Sequence, residues 1–174
     1  KGQVHAFDAD RKRLAPIIER LKRAGTRNVQ VHDRAEGLER YVGKFDRVLV
    51  DAPCTGTGTW RRRPDTKWRL TQRNLEERVE QQAQALEQAK SFVRAGGELI
   101  YVTCSVLPDE NERQVRRFCA ENSEFSIRPA LPRWTETFGA DAIKPHSADG
   151  ETLTLTPATT DTDGFFFCAM KRNA

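Results

Sequence analysis

Two short apolar runs, Val48-Leu49-Val50 and Leu99-Ile100-Tyr101-Val102, each end in a polar loop that carries a cysteine: Asp51-Ala52-Pro53-Cys54 after the first and Thr103-Cys104-Ser105 after the second. Short continuous apolar runs rich in Val, Ile and Tyr read as strands buried on both faces, the form strands take in a parallel sheet. Between them, residues 71–93 place Leu75, Val79, Leu86, Ala89 and Phe92-Val93 at helical spacing, with Thr71 as N-cap and Gly96-Gly97 closing the helix. That helix should cover one face of the sheet. Loops at the carboxyl ends of neighbouring strands are where an open α/β sheet builds its site. The two cysteines and Asp51 are therefore expected to converge.

The rest of the chain repeats the alternation. Residues 3–7 read as a strand ending at Asp8-Ala9-Asp10. A helix follows with Leu14, Ile17, Ile18 and Leu21 on one face; it stops near Gly25 and is kinked or started late by Pro16. Residues 29–31 form a short strand leading to His32-Asp33, residues 45–50 a third strand, and residues 98–102 the next. Pro108 opens a helix to residue 122. Residues 152–155 and 164–170 alternate like two strands paired antiparallel, and residues 132–150 read as loop. This order predicts an α/β fold, a doubly wound sheet with helices on both faces, in one domain over residues 1–174.

Composition adds limits rather than a function. The net charge is +4, with arginines clustered at Arg61-Arg62-Arg63, Arg11-Lys12-Arg13 and Arg116-Arg117. Such runs suit a polyanionic partner, and equally a solvated face. The four cysteines, Cys54, Cys104, Cys119 and Cys168, form no CxxC pair. With no secretory leader read, neither a zinc site nor a disulfide framework is expected, and a reducing cytoplasm is the expected compartment. No apolar stretch approaches the roughly 20 residues that span a bilayer, so neither metal nor membrane is an expected partner.

The motifs carry a further signal when taken together. Asp51-Ala52-Pro53-Cys54-Thr55-Gly56-Thr57-Gly58, Arg62-Arg63-Pro64-Asp65-Thr66-Lys67-Trp68, the segment from Tyr101 through Thr103-Cys104-Ser105 to Pro108-Asp109-Glu110-Asn111-Glu112, and Asp163-Gly164-Phe165-Phe166-Phe167 follow one another in a fixed order. In that order they resemble the Sun/Fmu family of RNA cytosine-5 methyltransferases, particularly its RsmB-like branch, over nearly the whole chain. The resemblance implies a Rossmann-like class I methyltransferase sheet, S-adenosylmethionine as methyl donor, and RNA as partner, ribosomal RNA of the small subunit foremost.

It also implies roles. Cytosine C5 is too weak a nucleophile to take a methyl group directly, so a thiolate first adds at C6 and makes C5 an enamine carbon. The family's nucleophile falls on Cys104, and the cysteine that helps break the adduct on Cys54. Taken without the resemblance, either could be a small buried apolar residue. Asp51 would hold the polar edge of the flipped base or lie close to the donor. Lys67 matches a lysine that reaches the site and favours the thiolate, or it meets phosphate. Arg61, Arg62 and Arg63 would meet RNA phosphates. Trp60 and Trp68 would stack on bases or pack in the core. For the donor, Asp8, with Asp10 as the alternative, fits the ribose-binding acid and Asp33 the acid that meets the adenine amine. Either could instead be a turn or cap residue.

One departure from the family stands out. The first strand and its glycine-rich loop have no counterpart, and Lys1 is not a natural start, so the chain reads as part of a longer protein whose isolated donor binding would be weak. Two other functions share the motifs: the same reaction on transfer RNA, and a noncatalytic RNA-binding module. The pair of cysteines argues against the module, which needs neither. Thr103-Cys104-Ser105 argues against DNA cytosine methylation, whose nucleophile sits in a Pro-Cys motif on the earlier loop.

Overall fold

A computed structural model describes residues 2–174, and Lys1, where the sequence suggests an interrupted start, lies outside the described residues. The chain divides into two compact units, residues 1–42 and 43–174.

In the first unit, β1 (Val4–Phe7) pairs in parallel with β2 (Val29–His32), Phe7 lying beside His32. The expected helix between them is broken at Pro16 into α1 (Arg11–Leu14) and α2 (Ile17–Arg23), because proline has no N–H to donate and its ring crowds the preceding turn. Leu14, Ile17 and Leu21 are half-buried, but Ile18 is exposed, so the apolar face is narrower than its spacing suggests. Asp10 caps α1, its Oδ1 accepting from the Lys12 N–H at 3.0 Å. A 3-10 turn, Ala35–Tyr41, closes the unit and buries Leu38.

The second unit is a five-stranded sheet. β3 (Phe45–Asp51) lies parallel to β4 (Val93–Thr103), and β4 lies antiparallel to β7 (Phe165–Arg172). On its other edge β7 pairs with β6 (Leu153–Leu155) near its start and β5 (Phe125–Arg128) near its end. The antiparallel pairing of the last two strands is as the alternation predicts; β5 has no counterpart among the strands expected from the sequence. The crossover helix α3 (Gln72–Lys90) starts where Thr71 accepts from the Asn74 N–H at 3.1 Å. Together with α4 (Glu112–Glu121), it covers one sheet face, with Leu86, Val115 and Phe118 packed on Leu99, Tyr101, Phe166 and Met170. On the opposite face lies Glu98, where Arg133 of α5 (Ala130–Phe138) reaches it at 2.9 Å. Helices thus meet both faces, as the doubly wound reading requires. No helix of the described residues is long and apolar enough to cross a membrane.

Three boundaries differ from the sequence reading, each for a physical reason. Gly96-Gly97 does not close α3, which ends at Lys90. The pair instead forms an irregularity inside β4, where Gly96 has φ +71° and a Cβ at Gly97 would lie 2.9 Å from the Arg94 carbonyl oxygen. The helix expected from Pro108 begins only at Glu112, because Glu110 and Asn111 turn inward to make buried hydrogen bonds. Residues 132–138, expected as the start of a loop, belong to α5, with Pro132 tolerated in its first turn and the Ala130 and Leu131 N–H groups donating to the Gly150 carbonyl at 3.0 Å each.

Candidate active site

Parallel pairing of β3 and β4 sets Asp51 beside Val102, and the Ala52 N–H extends the ladder by donating to the Val102 carbonyl at 3.0 Å. From these adjacent strand ends the chain needs only two or three more residues to reach each cysteine. Cys54 Sγ and Cys104 Sγ lie 3.2 Å apart, both half-buried and both free thiols. A hydrogen bond between two sulfurs at this separation lets the pair hold one proton between them. The bond from Cys54 pulls the Cys104 thiol down to about 7, against its burial and the negative charges of Asp51 and Glu110. The same bond, with burial, pushes Cys54 far above the ordinary thiol range. The bond therefore favours the negative charge on Cys104 and the proton on Cys54.

The loops around the pair are tied together by backbone and buried side chains. The turn Thr57–Thr59 sits on the Cys104 carbonyl, which accepts from the Gly58 N–H at 3.0 Å, and the Gly58 carbonyl in turn accepts from the Gly164 N–H at 2.7 Å. A Cβ on Gly58 would lie 2.3 Å from the Gly164 carbonyl oxygen, so only glycine permits this approach. Thr57 Oγ1 and Ser105 Oγ meet at 2.9 Å, and Asn111 Nδ2 donates to the Ser105 carbonyl at 2.9 Å while its Oδ1 accepts from Thr103 at 2.7 Å. Glu110, fully buried, accepts from the Thr55 N–H at 2.8 Å, the Thr55 hydroxyl at 2.5 Å and Gln82 Nε2 at 3.0 Å. Burying these polar groups is tolerable because each has partners.

Asp51 ends β3, exposed, and its charge acts on Cys104. The Lys67 ammonium lies over the rings of Trp60 and Trp68, 5.7 and 5.6 Å from their centroids. Trp68 is 82 % exposed, which removes the core-packing alternative for that ring. Arg62 pairs with Asp163, and Arg61 meets Asp163 at 3.7 Å and Asp161 at 3.6 Å. These two arginines therefore already hold carboxylate partners. Arg63 precedes the turn Pro64–Arg69 and is exposed.

In the first unit, Asp8 follows β1 and Asp33 follows β2, so the two stand at neighbouring strand ends. Asp8 Oδ1 accepts from the Asp10 N–H at 2.8 Å, and Asp33 pairs with Arg11 at 3.7 Å with its side chain 72 % exposed. Asp10 is occupied as a helix cap, which leaves Asp8 the better candidate of the two.

Gln82 and Glu110, which with Thr55 form the buried bonds beside the cysteine loops, have no assigned role in the sequence reading. Gln82 did carry a signal: it lies on the apolar stripe of Leu75, Val79 and Leu86, where a polar side chain calls for a buried partner.

A sheet with helices on both faces and a paired-cysteine site at neighbouring strand ends places the chain among the Rossmann-like methyltransferases. More narrowly, residues 1–171 match the family described as 16S rRNA methyltransferase RsmB/F, and the chain belongs to that family. It is 34 % identical over 172 residues to ribosomal RNA small subunit methyltransferase B of Enterobacter sp. (strain 638), covering 98 % of this chain and 37 % of that protein. With the protein of the same name from Escherichia coli O6:K15:H31 it shares 31 % identity over the same coverage. The chain thus spans about two fifths of the length of these relatives. Among solved structures, PH0851 matches with a TM-score of 0.84 at 31 % identity, over 99 % of this chain and 37 % of that one. NSun6 from Pyrococcus horikoshii with SFG matches with a TM-score of 0.79 at 27 % identity, over 100 % and 42 %.

Proposed function

We propose that the protein carrying this chain methylates cytosine C5 in RNA, with 16S ribosomal RNA as substrate, through a covalent bond between Cys104 and cytosine C6. The observation that carries the reading is the 3.2 Å approach of Cys54 and Cys104 at adjoining strand ends. The names of the relatives support the RNA class.

Cys104, held as a thiolate by the Cys54 hydrogen bond, attacks C6; the S–C6 bond forms and the C5=C6 π pair moves to C5. S-adenosylmethionine, when bound, supplies the electrophilic methyl group. Removal of the C5 proton then returns its electron pair to the ring, C5=C6 reforms and the Cys104 sulfur leaves as thiolate. With Cys104 held in the thioether, Cys54 no longer faces a thiolate; it gives its own proton to solvent, takes the C5 proton as base and, a thiol again, steadies the departing sulfur. Asp51 holds the polar edge of a base turned out of its stack, which is what exposes C6 to attack. The residues present fit the donor: Asp8 and Asp33 bring two carboxylates to neighbouring strand ends, one half-buried and one exposed, suited to ribose hydroxyls and an exocyclic amine. Arg61, Arg62 and Arg63 supply phosphate contacts, the first two by exchanging Asp163 for RNA, and Trp68 offers a stacking surface.

Denaturing electrophoresis of full-length protein with RNA and donor tests the reading. Cys104→Ala should abolish methylation and adduct, whereas Cys54→Ala should accumulate protein bound to RNA. A Cys104→Ala adduct would reverse the roles, and methylation surviving in Cys104→Ala would end the proposal.

A further inference from the structure

Cys54 sits on a loop, and nothing in a Pro-Cys-Thr-Gly segment by itself fixes a sulfur to within a few tenths of an ångström. What fixes it here lies on both sides of the cysteine. Gln82 Nε2, from the middle of α3, donates to the Pro53 carbonyl at 2.9 Å and to Glu110 Oε1 at 3.0 Å. Glu110 takes both the backbone N–H and the hydroxyl of Thr55 with its two carboxyl oxygens. The bracket is anchored in turn to the rest of the sheet and helices: the Tyr101 hydroxyl of β4 donates to the Glu110 carbonyl at 2.6 Å, and Gln114 of α4 reaches the Val79 carbonyl of α3 at 2.5 Å. Gln82 and Glu110 are both fully buried. A buried carboxyl is costly unless its hydrogen bonds are made, so this one has a strong preference for a single arrangement of its partners.

We infer that Glu110, with Gln82, is a positioning residue that clamps the Pro53–Thr55 segment and so sets the distance at which Cys54 donates to Cys104. Neither side chain touches the reacting atoms. Their effect passes through residues 53 and 55 to the sulfur between them. The charged and titratable groups that act on Cys104 are Cys54, Asp51 from β3 and Glu110 itself. The negative charge of Glu110 opposes thiolate formation at Cys104, so its service to the thiolate must come from geometry. This separates two explanations by sign. The inference rests on the methylation reading for its meaning in turnover, but the clamp can be measured without RNA or donor.

The experiment follows alkylation of Cys104 by iodoacetamide against pH in the full-length protein, resolved by peptide mass, with thermal melting alongside. In the parent the midpoint is expected at about 7. Glu110→Asp keeps the charge and shortens the reach; Thr55→Val removes only the hydroxyl bond. Loosening the donor to a thiolate should raise the midpoint by about one to two pH units, the equivalent of one hydrogen bond to a charged group. A rise in both variants supports the clamp. A lowered melting temperature with an unmoved midpoint in both would overturn it, since a merely structural role predicts that pattern. Should Glu110→Asp fail to fold, Thr55→Val alone decides by the same criterion. A shifted midpoint together with methylation that survives Cys104→Ala would keep the clamp and discard the proposed reaction.

Discussion

Of the described residues up to Val42, only His32 and Leu38 are buried, whereas the unit from Gly43 onward buries Leu86, Leu99, Tyr101, Phe166 and Met170 together with Gln82, Glu110 and Asn111. The candidate residues of the two units differ in the same way. Asp8 accepts from the nearby Asp10 N–H and Asp33 is met by the exposed Arg11, while Cys54 and Cys104 are brought together from segments 50 residues apart. Binding a ligand tolerates a carboxylate that adjusts on contact. The proton movement between two sulfurs in the proposed reaction does not, and the buried network of the second unit suits that requirement. In the first unit, the packed polar group of note is His5, stacked on His32 with ring centroids 5.1 Å apart and hydrogen-bonded to it at 2.9 Å. It bears on β1 and β2 pairing rather than on either aspartate.

The contrast can be broken most directly in the core of the second unit. Leu86→Ala removes a fully buried side chain between α3 and the sheet. It should cost about 3 kcal/mol of stability, read by denaturant unfolding of the full-length protein. A cost under about 1 kcal/mol would mean that this unit is no better packed than the first. Asp33→Ala is the matching change on the other side. It should weaken S-adenosylmethionine binding by roughly tenfold or more, the loss of a hydrogen bond to a charged group, and alter stability by less than about 0.5 kcal/mol. Calorimetric titration beside a melt would show it, and a large loss of stability with unchanged affinity would assign Asp33 to the fold.

A smaller effect is expected at the basic surface. Replacing Arg61, Arg62 and Arg63 with Ala should flatten the salt dependence of RNA affinity, each lost phosphate contact removing roughly 0.7 to 0.9 from the log-log slope. Arg63 alone should account for a larger part of the change than Arg61 or Arg62, whose charges are already met by Asp161 and Asp163. An unaltered slope would make all three solvated surface. Lys67→Ala, from the cation held between two indole rings, should lower turnover more than affinity; a drop in affinity alone would move it to the phosphate-contacting surface.

Much of this molecule was legible in the order of its residues. Period and length marked β1 to β4, α3 with its Thr71 cap, and the antiparallel final strands, because those signals are local: a side chain's place on a strand or helix repeats with the backbone. The approach of the two cysteine loops was legible for a related reason, since loops at neighbouring parallel strand ends converge. Where the reading failed, a distant partner overrode a local preference. Gly96-Gly97 has the chemistry of a helix stop and serves as an irregularity in β4. The stretch after Pro108 has the chemistry of a helix start and gives up a turn so that Glu110 and Asn111 can reach Thr55 and Ser105.

The amino-acid sequence by itself determined β1 to β4, the crossover helix with its cap and the antiparallel final strands, and that two thiols would share one site. Only the tertiary structure decided that Cys54 and Cys104 come within hydrogen-bond distance, that Arg61 and Arg62 are paired with carboxylates, and that Gln82 and Glu110 bracket the cysteine loop. The reason is that a hydrogen bond across 28 or 55 positions leaves no period in the chain. Its strength depends on burial and on distances of a few tenths of an ångström, which exist only once the sheet and its helices have closed around the polar groups.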